Sequence, residues 1–202
     1  ALCGNVDFIN MLDIGKINHL EGFLYPETYF ISSNQTEKEI ITMMISQFKK
    51  IVNLKEFDYQ KYGFNFYELM ILASIIQGEA KDINEMTTIS SVFHNRLNKN
   101  MYLDANATIQ YIIPGKNRRL RNKDLEVNSP YNTYKFKGLP PGPINNPGLD
   151  AIMAATNPID SDYIYFVKDP DNFGKHIFNK TFKGHELARK KYLKDLRLNG
   201  FK

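Results

Sequence analysis

The chain has 202 residues, 43% of them hydrophobic and 24% charged; that length fits one large domain or two small ones, and the balance is that of a globular protein. It excludes a disordered, collagenous or coiled-coil chain, and the longest mostly apolar run, Leu69 to Ile76, falls far short of the roughly 18 residues needed to cross a bilayer. The net charge is +4, but residues 99–137 carry eight basic against three acidic side chains (+5) and residues 180–202 eight against two (+6), leaving −7 elsewhere; two such patches point to an anionic polymer, whether nucleic acid, phospholipid headgroups or an acidic cell-wall glycan.

The single cysteine, Cys3, excludes an internal disulfide framework and a thiolate metal cluster. A start at Ala1 with no Met and no charged-then-apolar leader reads as a processed or trimmed chain, any membrane anchor lying upstream. Along the chain, Thr36 to Val52 predicts an amphipathic helix: Ile40, Ile41, Met44, Ile45, Phe48, Ile51 and Val52 recur at helical spacing behind a Thr36/Glu39 capping box. Asn65 and Glu68 cap a second helix, apolar nearly all round through Ile76 and therefore central to the core. A third runs from Asn84 to Leu97, with Met86, Ile89, Val92, Phe93 and Leu97 on one side. Another begins at Asn146-Pro147, a cap followed by proline, and stops before Asn157-Pro158.

Tyr163 to Val167 and His176 to Asn179 predict the strands of a hairpin around the turn-rich Asp169–Gly174, and Thr133 to Lys137 a third strand. His185 to Leu198 closes the chain as a basic helix with Leu187, Tyr192 and Leu196 inward. Gly138-Leu-Pro-Pro-Gly-Pro-Ile-Asn-Asn-Pro-Gly148 is too proline-rich for helix or central strand and must be a rigid loop of the kind that shapes clefts. The sum is a mixed α+β domain, with residues 1–202 forming one unit.

Phosphate-loop, paired-histidine zinc and nucleophile-elbow motifs are missing, and His19, His94, His176 and His185 show no ligand spacing. Neither metal nor cofactor is expected. Glu79 stands out. It lies on the stripe of Leu72, Ile75 and Ile76, so its carboxyl rides on a face that otherwise wants burial. Burial raises a carboxyl pKa and yields an acid able to protonate a glycosidic oxygen near neutral pH. The competing reading is a helix end whose glutamate points to water or pairs with Lys81 or Arg96. Gly78, poor inside helices, implies that something approaches the backbone closely there. Asn95 and Arg96 offer amide and guanidinium donors to a polar ligand, or form a plain solvated helix end. Ser129-Pro-Tyr-Asn-Thr-Tyr134 is dense in the hydroxyl, amide and aromatic groups that grip sugars, or is a turn with two core tyrosines. Glu21 and Glu27 flank aromatics in a tight segment, with surface salt bridges as the alternative.

Taken in order, Leu20-Glu-Gly-Phe-Leu-Tyr-Pro-Glu-Thr-Tyr29, Leu72-Ala-Ser-Ile-Ile-Gln-Gly-Glu-Ala80, Val92-Phe-His-Asn-Arg-Leu97 with Met101-Tyr-Leu103, then Thr108 and Tyr111, form one half of an ordered set. Ser129 to Tyr134, Gly138 to Ile144 with Asn146-Pro-Gly148, Tyr165-Phe-Val167, and His176 with Phe178 and Thr181 form the other. Together they resemble the MltG (YceG-like) family of endolytic murein transglycosylases. The resemblance implies a YceG-like catalytic domain that cuts the β-1,4 bond between N-acetylmuramic acid and N-acetylglucosamine without water, leaving a 1,6-anhydro end. It makes Glu79 the acid and then the base, and Glu21, Asn95, Arg96, Thr108, Ser129, Tyr131, Asn132 and Thr133 the substrate-binding set. It also implies peptidoglycan strands as substrate, a penicillin-binding synthase as partner, no nucleic acid, and a place on the outer face of the bacterial inner membrane through an upstream anchor, with most of a LysM-like module lying outside this chain. Two departures stand out: Gln77 where relatives often have an acid, and Asn106-Ala-Thr108 where they usually read Asp-Pro-Thr. A catalytically silent glycan-binding scaffold and a nucleic-acid binder are the competing classes, the latter without any reader motif.

Overall fold

The structure, a computed structural model, describes residues 2–52, 57–113, 115 and 120–198. Its helices are α1 (Val6–Met11), α2 (Glu37–Ile51), α3 (Phe66–Glu79), α4 (Met86–Asn98), α5 (Asn106–Ile112), α6 (Leu149–Thr156) and α7 (Phe182–Leu198), and its strands β1 (Tyr165–Lys168) and β2 (His176–Asn179). The fold is α+β. Lys116, Arg118, Arg119 and Lys202, which contribute to the two basic patches, lie outside the described residues.

Both predicted capping boxes are present. Thr36 accepts the Glu39 N–H while the Glu39 carboxylate accepts the Thr36 N–H, and Asn65 and Glu68 do the same for α3. From Leu69 to Ile76 every residue of α3 is buried, because the helix is enclosed by α6, α4 and α5. The core runs from Phe8 and Ile9 through Leu20, Phe23 and Phe48 to Ile152 and Ala155, and each of its large apolar side chains contributes about 1.5–3 kcal/mol on burial. The strands form an antiparallel pair in the register Tyr165↔Asn179 to Lys168↔His176, with α7 packed across them.

Four local expectations need correction. Thr133 to Lys137 is a turn and not a strand: Asn132 Oδ1 accepts the Tyr134 N–H, and the Asn132 carbonyl accepts the N–H groups of Lys135 and Phe136. The helix expected at Asn146-Pro147 starts at Leu149 with Gly148 as its cap, since the Asn146 carboxamide instead accepts the N–H of Gly22 (2.8 Å) and Leu24 (3.2 Å). The closing helix starts three residues early, at Phe182, and only Leu196 of its expected inward set is buried; Tyr192 is half-buried and Leu187 faces solvent. The short helices α1 and α5 add to the predicted set.

Candidate active site around Glu79

Glu79 is the last residue of α3, where Ala80 turns extended (φ −78°, ψ 130°). The residue is half-buried, yet its carboxyl is neither paired with Lys81 or Arg96 nor at a frayed end. Glu79 Oε1 accepts the backbone N–H of Ala107 at 2.8 Å, and the Asn106 N–H also faces the group. These are the first donors of α5, whose own cap residue, Ala105, has no side chain able to accept them. A carboxylate from a segment 28 residues away therefore serves as the missing cap, where the helix dipole favours negative charge.

Gly78 makes this docking possible. A Cβ there would stand 2.7 Å from Ala107 Cβ, so only glycine lets the first turn of α5 lie against the last turn of α3. The turn is then locked from behind by hydroxyls. Thr133 Oγ1 accepts the Ala105 N–H (3.0 Å), Thr108 Oγ1 donates to the Ala105 carbonyl (2.8 Å), and the two fully enclosed hydroxyls share a hydrogen bond of 2.9 Å.

Burial pushes the Glu79 carboxyl above its ordinary value, and the N–H groups of Ala107 and Asn106 and the Lys168 ammonium pull it back. Tyr134 joins the site through a hydrogen bond from its hydroxyl to Asn106 Oδ1 (2.8 Å). Burial, then the charges of Glu79 and Asp104, drive its phenol pKa upward, so it remains a neutral donor. Lys81, Lys168 and the β1–β2 hairpin border the site on another side, the tip of the hairpin reaching the chain just past Glu79.

The remaining sequence-predicted residues divide. Glu21 lies near the far end of α5, where Tyr111 donates to its Oε2 (2.7 Å) and the Tyr111 and Tyr131 rings stand 5.0 Å apart. Burial and the Glu21 charge raise the pKa of both phenols. Ser129 Oγ accepts the Tyr131 N–H at 3.3 Å. Asn95 and Arg96, by contrast, direct their donors into the scaffold. Asn95 Nδ2 donates to the carbonyls of Ser161 and Tyr163; Arg96, buried, donates to those of Ile164, Tyr102 and Leu103 and pairs with Asp104 at 2.8 Å. Asn132 Nδ2 likewise donates to the carbonyls of Leu125 and Val127. Thr108 and Thr133 act on α5, one step removed from the carboxyl. Tyr134 closes the Ser129–Tyr134 segment that the sequence marks for sugar contacts; Ala107 and Lys168 were not singled out, and for Ala107 no signal could exist, because its contribution is a backbone N–H.

A separate cavity of about 490 Å³ lies at the opposite end of α3, lined by Phe64, Tyr67, Ile71, Leu97 and the Leu139–Pro141 loop. Its α3 lining residues, Tyr67 to Ile71, stand roughly 12–18 Å from Glu79 along the helix axis. Among the described residues no cluster of His, Cys, Asp and Glu could hold a metal ion, and no helix is long and apolar enough to cross a membrane.

Residues 5–191 of this helical α+β domain match the YceG-like family, and the chain belongs to it. It is 40% identical over 180 residues to the endolytic murein transglycosylase of Bacillus subtilis, covering 88% of this chain and 49% of that protein. Against the endolytic murein transglycosylase of Streptococcus pneumoniae R6 the identity is 36% over 179 residues, or 86% and 32% of the two chains. The chain thus spans about half of the first relative and a third of the second. A crystal structure of a YceG-like protein from Listeria monocytogenes superimposes with a TM-score of 0.80 at 34% identity, covering 92% of this chain and 64% of that one.

Proposed function

We propose that this chain is the catalytic part of a lytic transglycosylase that cuts peptidoglycan glycan strands internally, at the β-1,4 bond between N-acetylmuramic acid and N-acetylglucosamine. Family membership and the names of the two relatives support the substrate class. The observation that carries the chemistry is the setting of Glu79: burial favours its protonated form while two N–H groups and Lys168 favour the anion. A group balanced between those forms suits a reaction in which one carboxyl acts as acid and then as base. Glu79 donates its proton to the glycosidic oxygen as the bond to C1 breaks. The resulting carboxylate accepts the proton of the muramoyl C6 hydroxyl, whose oxygen closes onto C1 as a 1,6-anhydro ring.

The positive charge that develops at C1 needs neutral dipoles and not a second anion. Tyr134, held neutral beside Glu79, and Tyr131 and Ser129 further along are suited to supply them, whereas the Asn95 and Asn132 donors are occupied by the scaffold. Asp104 is tied to Arg96, and Glu21 accepts a hydrogen bond from the Tyr111 hydroxyl, which supports a single acting carboxyl. The same reading puts the domain on the outer face of the inner membrane, held by an anchor upstream and working beside a penicillin-binding synthase.

The test is mass spectrometry of fragments released from purified sacculi by the wild-type chain and by Glu79→Gln. Anhydro-ended fragments from the first and none from the second, with the variant folded, is the expected result. Unchanged release by Glu79→Gln would remove the assignment. Tight sacculus binding by both proteins with no product from either would favour the silent glycan-binding module.

A further inference from the structure

The hairpin tip between β1 and β2 presents Phe173 at 96% exposure, level with the most exposed large apolar side chains among the described residues. A single exposed apolar residue needs no explanation by itself. What distinguishes this one is how firmly it is held and where. The Asp169 carboxylate accepts the Asp171 N–H (3.0 Å) and the Asn172 side-chain amide (2.8 Å), the Asp169 N–H donates to the Lys175 carbonyl (2.9 Å), and Gly174 takes the left-handed conformation (φ +85°) that closes the turn. Asp171 is also ion-paired to Lys191 of α7. The tip is a braced turn that holds its aromatic ring out.

That turn is pinned to the segment joining α3 to α4. Glu85 accepts both the backbone N–H (3.0 Å) and Nδ1 (2.9 Å) of His176, Lys175 approaches Asp82 at 3.9 Å, and a Cβ on Gly174 would stand 3.7 Å from Lys81 Cβ. Lys81 Nζ sits over the Phe173 ring, 5.0 Å from its centre. Lys81 is two residues past Glu79, so their α-carbons lie within about 7 Å. On the same hairpin Lys168 is close enough for its charge to act on Glu79. One ring face therefore has an ammonium nearby, and the ring as a whole stands open at the border of the site.

We propose that Phe173 is a stacking platform for a pyranose ring of the glycan strand, placed by the β1–β2 turn beside the bond addressed by Glu79. The inference rests on the proposed glycan-cleaving function and adds a residue to its binding surface. The C–H face of a β-linked sugar is apolar and weakly positive, and it complements the negative face of an aromatic ring. An open ring beside the acid would hold one sugar flat against the hairpin while its neighbours remain free to enter and leave, as cutting inside a strand requires. Because the ring makes so few contacts within the protein, its removal leaves the fold intact.

The experiment measures binding of peptide-free glycan strands, solubilised from sacculi, to Glu79→Gln and to Glu79→Gln combined with Phe173→Ala, Phe173→Leu or Phe173→Trp, together with the initial cleavage rate of the single Phe173 variants. Stacking predicts about 3- to 10-fold weaker binding for Ala and for Leu and retention with Trp, with a matching rise in the strand concentration that gives half-maximal rate. Equal binding by all four would overturn the proposal. So would glycan binding that is unmoved while Phe173→Ala abolishes adsorption to phosphatidylglycerol vesicles, because the ring would then serve a lipid surface. Should Glu79→Gln prove fully active, the catalytic reading fails, yet the binding comparison among Phe173 variants still reports on the platform.

Discussion

Gly78→Ala tests whether α5 is docked as tightly on Glu79 as the geometry indicates. The added Cβ would meet Ala107 Cβ at 2.7 Å, Asn145 Nδ2 at 3.5 Å and Ile144 Cδ1 at 3.7 Å. Carbon atoms rest about 3.5–4.0 Å apart, so the first turn of α5 must retreat by roughly 1 Å. The same displacement would stretch the Ala107 N–H bond to Glu79, now 2.8 Å, past hydrogen-bonding range. Overpacking costs about 1–3 kcal/mol, and losing a hydrogen bond to a charged group about 1.5–3 kcal/mol when Glu79 is ionised. Replacing glycine in a helix returns at most about 1 kcal/mol. A net loss of about 1.5–5 kcal/mol is expected by urea denaturation at neutral pH. With a donor to its anion gone, the Glu79 carboxyl should titrate higher than in wild type, which side-chain carbon NMR would follow. Gly78 is itself an exposed position, so ordinary helix propensity predicts the opposite sign. Stabilisation of up to about 1 kcal/mol with an unmoved Glu79 titration would refute the docking argument.

Three further outcomes follow from the same contacts. Folding raises the Glu79 pKa above its ordinary 4.5; that contribution to stability is fully present below this value and lost as pH rises through the folded one. Glu79→Gln should therefore gain stability relative to wild type as the pH rises above 4.5, and a difference independent of pH would contradict the burial of the carboxyl. Arg96→Lys keeps the charge but replaces the planar fork with one ammonium that cannot serve the carbonyls of Ile164, Tyr102 and Leu103 together, and should cost about 1–3 kcal/mol; an unchanged stability would show that the fork is not needed there. Asn146→Ala strips the acceptor from two backbone N–H groups and should cost about 1–3 kcal/mol. It should also speed amide exchange at Gly22 and Leu24, and slow exchange there would show that Asn146 is not their anchor.

How much could be read from the sequence depended on how local each interaction is. The α2 and α3 boundaries were legible because Thr36 with Glu39 and Asn65 with Glu68 cap within three residues. Helical spacing put Glu79 on an apolar stripe but left a solvent-facing or ion-paired glutamate open as well, and the resemblance singled it out; Gly78 correctly signalled a close approach, by Ala107. The start of α6 was misread because Asn146, a good cap by type, is drawn to a loop 124 residues earlier. The helix α5 escaped notice for the converse reason: its cap is Glu79, and Asn-Ala-Thr-Ile-Gln-Tyr-Ile carries no start signal of its own. Thr133 to Lys137 alternates like a strand, yet Asn132 folds it into a turn. Asn95 and Arg96 have the donors that a ligand would use, and only the fold reveals that carbonyls 66 to 68 residues away already take them. Residue type marks what a side chain can do, and long-range pairing decides what it does.

The central claim is that Glu79 alone carries the reaction and that the incoming nucleophile belongs to the sugar. Digestion of sacculi in water enriched in ¹⁸O tests it directly. Fragments whose new ends carry no ¹⁸O and are lighter by one water than the hydrolysis product would match closure by the C6 hydroxyl. Incorporation of one ¹⁸O at the new reducing end would contradict it and require a second carboxylate to activate water, with Glu21 the first to be replaced.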